Sequence, residues 1–476
     1  MIASVGVRIV DGGLGASRTT TRPPAVVGCS SGGSAAHVQL VSSLEDCVAV
    51  FGHGKLTELV GMYLDLAGVP VLACKAESST AGSCGAITQP AGPQAQLSIT
   101  TATARDDYAI VLRVSRAGAS LAALTAAVRL SLDGGAAFGP ELAVPASGEL
   151  TLGDTGVVVD FADGTFVVDS EYSFATTAPT WDNTALTEAL DALAGSSIDH
   201  EFVHVAEHCT RTHAQTVKTA LEALGTSGVF RRALLSARDQ NVPGGESASA
   251  WQTALLGASP GFALFDGGHY LDVTAGGAQM RSRTTRALHR RPVAWAIGPR
   301  AALLRTTINE AVAGLAEHPG AVHLGPLPGV EEDGLHHDLR LLPSLDAGGF
   351  MGLQTHIGRA GYFPTDRTMA QQPSDYATVM NARVVVEGAT VAQGLLTEHV
   401  GRRFRLATGG VIDARDADAL DAQLTSDFRQ AMGPLITEGR VTVNRASVSG
   451  SLRGAMRVRP YGYATTIDFS IGMTAE

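Results

Sequence analysis

The most specific chemical spacing in the sequence is the His-Glu-x-x-His pattern formed by His200, Glu201 and His204. On an α-helix, histidines four residues apart share one face and could bind Zn²⁺, with the glutamate as general base. Residues 197–205 alternate between polar and apolar, however, which predicts a β-strand. A strand would place His200 and His204 on one face about 13 Å apart, at roughly 3.3 Å per residue, which is too far for one metal ion. A zinc-dependent hydrolase is therefore an alternative that requires a helix here.

Other motifs of enzyme chemistry are incomplete. A phosphate-binding loop needs a glycine five residues before the Gly54-Lys55 pair, where Ala49 stands, and a Ser or Thr after the lysine, where Leu56 stands. We do not interpret residues 28–32 as a nucleophile elbow, and we expect the acidic run at 331–333 to be a solvated loop. These patterns predict that the protein is not an enzyme and has no cofactor or metal site.

A run of basic residues distinguishes one part of the chain. No Asp or Glu occurs between Val273 and Asn309, whereas arginines recur there. Five of them form a candidate face for contact with a partner: Arg281, Arg283, Arg286, Arg290 and Arg291. An acidic partner surface would fit such a face; the alternative is a basic face that is solvated or paired within the chain.

The composition is that of a globular protein of two to four domains, with 476 residues of which 45% are hydrophobic. A net charge of −11 disfavours nucleic acid and anionic membranes as partners. The five cysteines form no Cys-x-x-Cys pair, which indicates neither a disulfide framework nor a thiolate metal site and predicts a reducing compartment. We find no signal peptide and no apolar window of 18 residues, and therefore expect a soluble product that is assembled inside the cell.

Strand and helix patterns alternate in residues 25–90 and 179–400, which predicts an α/β body around a mixed sheet. We expect a strand and a turn over residues 38–52 and further strands at 260–267, 291–298 and 321–329. Helical spacing of apolar residues predicts five helices in these parts, at 56–67, 183–194, 212–224, 247–256 and 299–317.

The pattern of apolar and polar residues changes in residues 91–178. Short alternating runs are separated by turn signals such as Asp133-Gly134-Gly135 and Asp163-Gly164. Strands at this spacing predict a small β-sandwich, inserted as a domain into the α/β chain.

Both ends of the sequence predict strands that are set apart from the rest of the chain. Residues 1–24 form an arm in which 2–10 alternate as a strand and 17–24 are a linker, and residues 401–476 hold a helix at 417–432 followed by three strands. The last strand covers residues 465–472. Apolar side chains on one face of the two terminal strands are the candidate contacts to other subunits: Val5, Val7, Ile9, Ile467, Phe469 and Ile471.

The longest helical pattern follows Pro373. Ser374 is suited to cap its first turn and Asp375 complements the helix dipole. Apolar residues then recur at helical spacing and predict one buried stripe.

The order of short motifs in this region resembles contractile-tail sheath proteins. That family has a Gly-Tyr strand, a Thr-Met-Ala loop, a Ser-Asp-aromatic turn and an Asn-x-Arg-Val helix, and the N-terminal opening with Ser43, Asp46, Phe51 and Gly52 is also similar. The matching residues are Gly361, Tyr362, Thr368, Met369, Ala370, Ser374, Asp375, Tyr376, Asn381, Arg383 and Val384.

The resemblance implies a mechanical function. Sheath subunits stack as rings of six around a tail tube, contract to drive the tube through a target envelope, and join to their neighbours by adding terminal strands to each other's sheets. It implies a homo-oligomer in a virion tail or similar particle, assembled in the bacterial cytoplasm, with tail tube, baseplate and tail terminator proteins as partners. The inserted β-domain would face outward, and the arginine face would meet the tube or the next subunit. A non-contractile baseplate component stays open as a second alternative.

Overall fold

The computed structural model describes residues 22–303, 330–331, 338–339, 342–355, 362–399, 402–433, 435–444 and 454–461. The chain enters the α/β body directly after Pro24. The first elements are β1 (Ala25–Gly28), β2 (Val38–Val41), α1 (Leu44–Phe51), α2 (Lys55–Leu66) and β3 (Val71–Lys75).

Helix α1 lies where the sequence predicted a turn. The Ser43 side chain caps it by accepting a hydrogen bond from the Asp46 backbone N–H, and Glu45 and Asp46 lie in its first turn. This Ser-x-x-Asp signal is a recognised helix start, so the helix could have been predicted from it.

Residues 83–177 form an all-β unit. Its strands are β4 (Ser83–Cys84), β5 (Leu97–Ala102), β6 (Ala109–Arg116), β7 (Ala127–Ser131), β8 (Glu141–Ala143), β9 (Glu149–Thr151), β10 (Val157–Phe161) and β11 (Glu171–Thr177). They pair antiparallel in a three-stranded sheet, β5-β10-β9, and a five-stranded sheet, β4-β11-β6-β7-β8. Side chains from both sheets share one core, in which Phe161 packs edge-on against Phe166 and Tyr172.

The body resumes after the all-β unit. Its elements are α3 (Asn183–Gly195), β12 (Phe202–His208), α4 (Arg211–Thr226), β13 (Arg232–Ser236), α5 (Ala248–Leu256), β14 (Leu271–Thr274), β15 (Gly277–Arg281), β16 (Leu288–Pro292) and α6 (Ala294–Leu303). Helices α3, α4 and α5 agree with the sequence-based predictions to within two residues at each end.

Two predicted strands in this part are wrong. Residues 260–267 form turns rather than a strand. Residues 294–298 begin helix α6, so Pro299 lies inside a helix and not at its first position. Helix α6 is buried almost all round, and a short apolar run of this kind does not distinguish a buried helix from a buried strand. The predicted strand at 321–329 lies outside the described residues.

The remaining described elements follow in chain order. They are β17 (Val330–Glu331), α7 (Pro343–Ala347), β18 (Phe350–Met351), β19 (Leu353–Gln354), β20 (Phe363–Pro364), α8 (Val379–Thr397), α9 (Ala414–Met432), β21 (Ile436–Val443) and β22 (Gly454–Pro460). Helix α8 begins later than predicted. Thr378 caps it by accepting from the Asn381 N–H, while Ser374 caps only a turn by accepting from the Tyr376 N–H.

A seven-stranded sheet organises the body, with the order β18-β14-β13-β12-β1-β3-β2. All neighbours are parallel except β2, which is antiparallel to β3 at one edge. One face packs on α3, α4 and α5, and the other packs on α1, α2 and α6. Because both faces are covered, the central strands are mostly apolar and are buried along their length, as is typical of parallel sheets. The predicted α/β body with a mixed sheet is therefore confirmed.

In the C-terminal part, helix α9 packs on a sheet of two described strands. Helix α9 packs against β21 through a core that includes Leu424, Phe428 and Val441. Strand β21 pairs antiparallel with β22, and the described residues add no third strand to this sheet. The predicted third strand at 465–472 and the predicted N-terminal strand at 2–10 lie outside the described residues.

Candidate functional site at the eighth helix

The two histidines of the His-Glu-x-x-His pattern lie on opposite faces of the large sheet. His204 is inside β12, and its Nδ1 is 2.8 Å from the Tyr63 hydroxyl of α2. His200 precedes β12 and lines a cavity with Leu190 and Leu224 of α3 and α4. The predicted shared face is therefore wrong, because the strand begins only at Phe202. The helix that a zinc site requires is also absent from this segment.

Burial keeps both imidazoles neutral. It lowers the pKa of His204 to about 3 and that of His200 to about 4. Within the described residues, no group of three His, Cys, Asp or Glu side chains is placed to hold a metal ion. The five cysteines are free thiols, and four of them are buried.

The glutamate of the same pattern belongs to a different cluster. Glu201 Oε1 accepts a hydrogen bond from Arg383 Nη2 of α8 at 2.7 Å, and the same nitrogen donates to the Ala301 carbonyl at 2.9 Å. Glu201 thereby ties the start of β12 to α8 and to the end of α6. We call the cluster of charged side chains around this contact the α8 junction; it consists of Arg22, Glu201, Arg232, Asp272, Arg383 and Glu387.

A buried ion pair forms the inner part of the α8 junction. Arg232 at the start of β13 pairs with Asp272 of β14, and the two side chains are only 5% and 10% exposed. Arg232 Nη1 also donates to the Val379 carbonyl in the first turn of α8 at 2.8 Å. Burial raises the pKa of Asp272 to about 6, against the opposing effect of Arg232. Desolvation is therefore the dominant influence on this carboxyl group.

The outer part of the α8 junction holds the segment that leads into β1. Arg22 Nη2 donates to Glu387 Oε2 of α8 at 2.5 Å, and Arg22 Nη1 lies 3.9 Å from Asp199 Oδ2. The Pro23 carbonyl accepts from the Glu201 N–H at 3.0 Å, and the Pro24 carbonyl accepts from the Leu72 N–H at 2.9 Å. Side-chain and backbone contacts together hold residues 22–24 against the body.

The C-terminal strand meets α8 one residue further along. A Cβ atom at Gly388 would lie 3.6 Å from Phe428 and 3.8 Å from Val458 of β22. Adjacent residues of α8, Glu387 and Gly388, thus contact the described segments closest to the two chain ends. The junction lies at the amino ends of parallel strands β12, β13 and β14, whereas ligand sites of open α/β sheets lie at the carboxyl ends.

The run of arginines does not form one exposed face. Arg291 pairs with Asp106 of the all-β unit at 2.8 Å, and both side chains are at most 4% exposed. Arg290 pairs with Asp239, and Arg283 Nη2 lies 3.1 Å from Asp65.

The predicted contact face is corrected accordingly. Only Arg281 and Arg286 of the five arginines are exposed, at the turn between β15 and β16. Arg291 instead joins the all-β unit to the body, together with Lys55, whose Nζ is 2.8 Å from Asp107 Oδ2. Lys55 is the lysine of the incomplete phosphate-loop pattern, and this ion pair gives it a structural role.

Two further predictions can be placed. Residues 28–32, Gly-Cys-Ser-Ser-Gly, have the spacing of a nucleophile elbow, but strand β2 rather than a helix follows them and the Ser30 hydroxyl donates to the Gly32 carbonyl. The candidate contacts on the terminal strands, Val5, Val7, Ile9, Ile467, Phe469 and Ile471, lie outside the described residues. None of the described helices is long and apolar enough to cross a bilayer.

A family comparison covers the N-terminal half of the chain. The family described as "DUF2586, N-terminal domain" matches residues 2–263, which is more than half of the 476 residues. The chain belongs to the DUF2586 family. The match spans the first part of the body, the all-β unit and the body as far as α5. No curated protein matches the sequence.

Solved structures of similar arrangement come from contractile particles and tails. A chain in the cryo-EM structure of the anti-feeding prophage baseplate aligns with this protein over 100% of both chains, with a TM-score of 0.51 and 10% identity. The sheath tail protein of Desulfitobacterium hafniense aligns over 96% of this chain and 100% of its own (TM-score 0.44, 12% identity). The sheath tail protein of Listeria innocua aligns over 92% and 95% (TM-score 0.45, 13% identity). The likeness of fold that these comparisons show is to the chain in the anti-feeding prophage baseplate structure.

Proposed function

We propose that this DUF2586 protein is the structural subunit of a contractile tail sheath. In this proposal the subunits stack as rings of six around a tail tube and contract to drive the tube through a target envelope. The observation that carries the proposal is the meeting of both chain-end segments at α8, beside a sheet of only two described strands.

The two-stranded sheet is the natural acceptor for strands from neighbouring subunits. Helix α9 covers one side of this sheet, and β22 is an edge strand of the described sheet, whose main-chain groups on the side away from β21 can pair with a strand of another chain. Strand β22 has exposed and half-buried residues along its whole length. Strands 2–10 and 465–472 of neighbouring copies would extend the β21–β22 sheet by main-chain hydrogen bonds, which tolerate different side chains.

The α8 junction would transmit force between these links and the body. Arg22 fixes the exit of the N-terminal segment on Glu387, while β22 rests on the next residue of the same helix. A pull on either link therefore acts on α8, which Arg232 and Arg383 attach to the central sheet. Subunit bodies can rotate between an extended and a denser packing while the strand links persist.

The same proposal sets the partners and the location. Tail tube, baseplate and tail terminator proteins are the expected partners, and the particle tail is the expected site, with assembly in the bacterial cytoplasm. The all-β unit would face outward, and the exposed Arg281 and Arg286 would meet the tube or the next subunit. A structural role without enzymatic activity fits the internally paired charges of the α8 junction.

Negative-stain electron microscopy of the purified chain tests the proposal. We expect striated hollow tubes from the full chain. Changing Ile467, Phe469 and Ile471 together to Asp should leave dispersed subunits. The matched control changes the alternate residues Thr466, Asp468 and Ser470 to Ala and should still form tubes. Tubes from the aspartate variant would contradict linkage by this strand.

A baseplate component is the second candidate, because the structure with a TM-score of 0.51 is that of a baseplate. Such a protein would form closed rings without long tubes in the same micrographs. The zinc hydrolase is set aside, since His200 and His204 lie on opposite faces of a sheet.

A further inference from the structure

The six charged residues of the α8 junction line a cavity of about 60 Å³. The rest of its lining is largely apolar and includes Leu234, Ile297 and Met351. In apolar surroundings a hydrogen bond to a charged group is strengthened, and a donor without an acceptor is costly. Pockets for drug-sized molecules usually measure roughly 300–1,000 Å³, so this cavity fits a small ion or a few water molecules.

Two buried arginines at this cavity each keep an N–H group without an acceptor. Arg232 donates from Nη1 and Nη2, and Arg383 donates from Nη2, to the partners described above. The Nε of Arg232 and the Nη1 of Arg383 are buried, and neither has a hydrogen-bond partner among the described residues. The two side chains are only 5% and 10% exposed, so bulk solvent does not supply the missing acceptors. Buried polar groups are rarely left unpaired, and a bound ion or an ordered water usually explains such an exception.

Arg22 adds a third donor at the same cavity. Its Nη1 is buried without a hydrogen bond and lies 3.9 Å from Asp199 Oδ2, which is beyond hydrogen-bond distance. The amino end of α8 also reaches the cavity, because its first residue, Val379, is part of the lining. The amino end of a helix carries partial positive charge and favours anions. Unfilled donors from three separate parts of the chain, at residues 22, 232 and 383, thus belong to the lining of one small cavity.

The unfilled hydrogen-bonding capacity of this cavity consists of donors. Glu201, Asp272 and Glu387 balance the formal charge of the three arginines, and within the described residues none of their oxygens is a buried atom without a partner. A water molecule that accepts from these N–H groups needs acceptors for its own hydrogens, whereas an oxyanion brings acceptor oxygens. Arginine binds the oxygens of carboxylate and phosphate groups by charge-assisted hydrogen bonds. The unfilled donors, rather than the net charge, therefore select the ligand.

We propose that the α8 junction binds a small oxyanion in this cavity. The anion accepts hydrogen bonds from Arg22, Arg232 and Arg383, and it thereby ties α8 and the segment before β1 to the central sheet. The cavity lies at the amino ends of β12, β13 and β14, whereas substrates of open α/β sheets bind at the carboxyl ends. The anion is therefore a structural ligand and not a substrate. Such a site does not depend on the proposed sheath function.

Isothermal titration calorimetry of the full chain with sodium sulfate, at constant ionic strength and neutral pH, tests the site. Sulfate is a suitable probe because it carries acceptor oxygens and no hydrogen at this pH. We expect a single saturable binding site in each chain. Heats of dilution alone would overturn the proposal and leave water in the cavity. A parallel titration with sodium acetate identifies the group that is bound, since tighter binding of sulfate indicates a tetrahedral oxyanion and tighter binding of acetate indicates a carboxylate.

Three variants place the bound anion. Arg383→Gln removes one unfilled donor, while the glutamine amide can still donate to Glu201, and it should weaken sulfate binding roughly tenfold or more. Ala301→Met fills the cavity without changing a charged group and should weaken binding at least as much. Arg405→Gln, at an exposed ion pair with Asp416 outside the cavity, is the matched control and should bind sulfate as the wild type does.

The fold of each variant is checked by its circular dichroism spectrum, which should match that of the wild type. Unchanged sulfate affinity in Arg383→Gln or in Ala301→Met would overturn the proposal, because the anion would then bind elsewhere. Sulfate binding that is lost in both cavity variants and kept in Arg405→Gln would support it. The absence of tubes from the wild type would contradict the sheath function and leave the anion site standing.

Discussion

The seven-stranded sheet and the two-stranded β21–β22 sheet differ in how completely they are covered. Helices cover both faces of the large sheet, and its central strands are buried along their length. The β21–β22 sheet has α9 on one side, and β22 is not buried at any position. The large sheet is thus covered on both faces, whereas the described β21–β22 sheet leaves β22 exposed or half-buried throughout.

The two regions also use charge differently. Arg232 with Asp272 inside the body, and Arg291 with Asp106 between the body and the all-β unit, form enclosed ion pairs whose side chains are at most 10% exposed. The β21–β22 sheet carries its pair, Arg459 with Glu438, in solvent at 74% and 50% exposure. Enclosed pairs fix one geometry, because breaking them leaves a buried charge, whereas exposed pairs tolerate rearrangement.

The largest expected effect is the loss of an enclosed pair. Changing Arg232 to Met leaves Asp272 buried without its partner and should lower the free energy of unfolding of the body by about 3 kcal/mol. Urea unfolding followed by tryptophan fluorescence measures this, since Trp181, Trp251 and Trp295 all lie in the body.

Two controls sharpen this prediction. Arg459→Met, which removes the exposed pair, should leave the urea concentration at the midpoint of unfolding unchanged. Combining Arg232→Met with Asp272→Leu should recover most of the lost stability, because no uncompensated charge remains. Equal effects of Arg232→Met and Arg459→Met would remove the proposed difference between the two regions.

Acid should loosen the body before the C-terminal sheet. Burial lowers the pKa of His204 to about 3 and those of His200 and His289 to about 4, below the usual value of about 6.5. The unfolded chain therefore binds more protons below pH 6.5, and stability falls as the pH drops toward the folded pKa. At pH 5 each such histidine costs on the order of 2 kcal/mol. Residues 400–476 contain no histidine.

A single variant isolates one of these contributions. His200→Phe removes one buried imidazole and keeps a ring of similar size in its place. Its unfolding free energy should fall by about 2 kcal/mol less than that of the wild type between pH 7 and pH 5. Asp272 has a raised pKa and acts in the opposite direction, so the comparison between variants is the informative one. Parallel pH profiles would show that His200 is not buried as described.

Most elements of the body could be predicted from the sequence, because helical spacing and strand alternation depend only on neighbouring residues. Helical spacing predicted α3, α4 and α5, and strand alternation placed His204 on a strand. The failures have a physical cause. The apolar run at 294–298 is compatible with a buried strand or a buried helix. In the structure it forms a helix, α6, that packs against α2.

The α8 junction could not be predicted in the same way. Arg383 and Glu387 have the i, i+4 spacing of an ion pair within one helix, yet they bind Glu201 and Arg22, which are 182 and 365 residues away. Pairing at such separation depends on the sheet order, which the sequence does not reveal. The buried Arg291 was likewise assigned to a surface face, because its partner Asp106 lies in another unit of the chain.

Hydrogen–deuterium exchange of the β22 backbone tests most directly whether neighbouring subunits complete the β21–β22 sheet. Backbone amides from Gly454 to Arg459 should exchange quickly in dispersed subunits and slow at least tenfold in assembled tubes. Amides of β1 and β12 serve as the internal control and should be slow in both states. Unchanged fast exchange in β22 within intact tubes would contradict assembly by strand addition to this sheet.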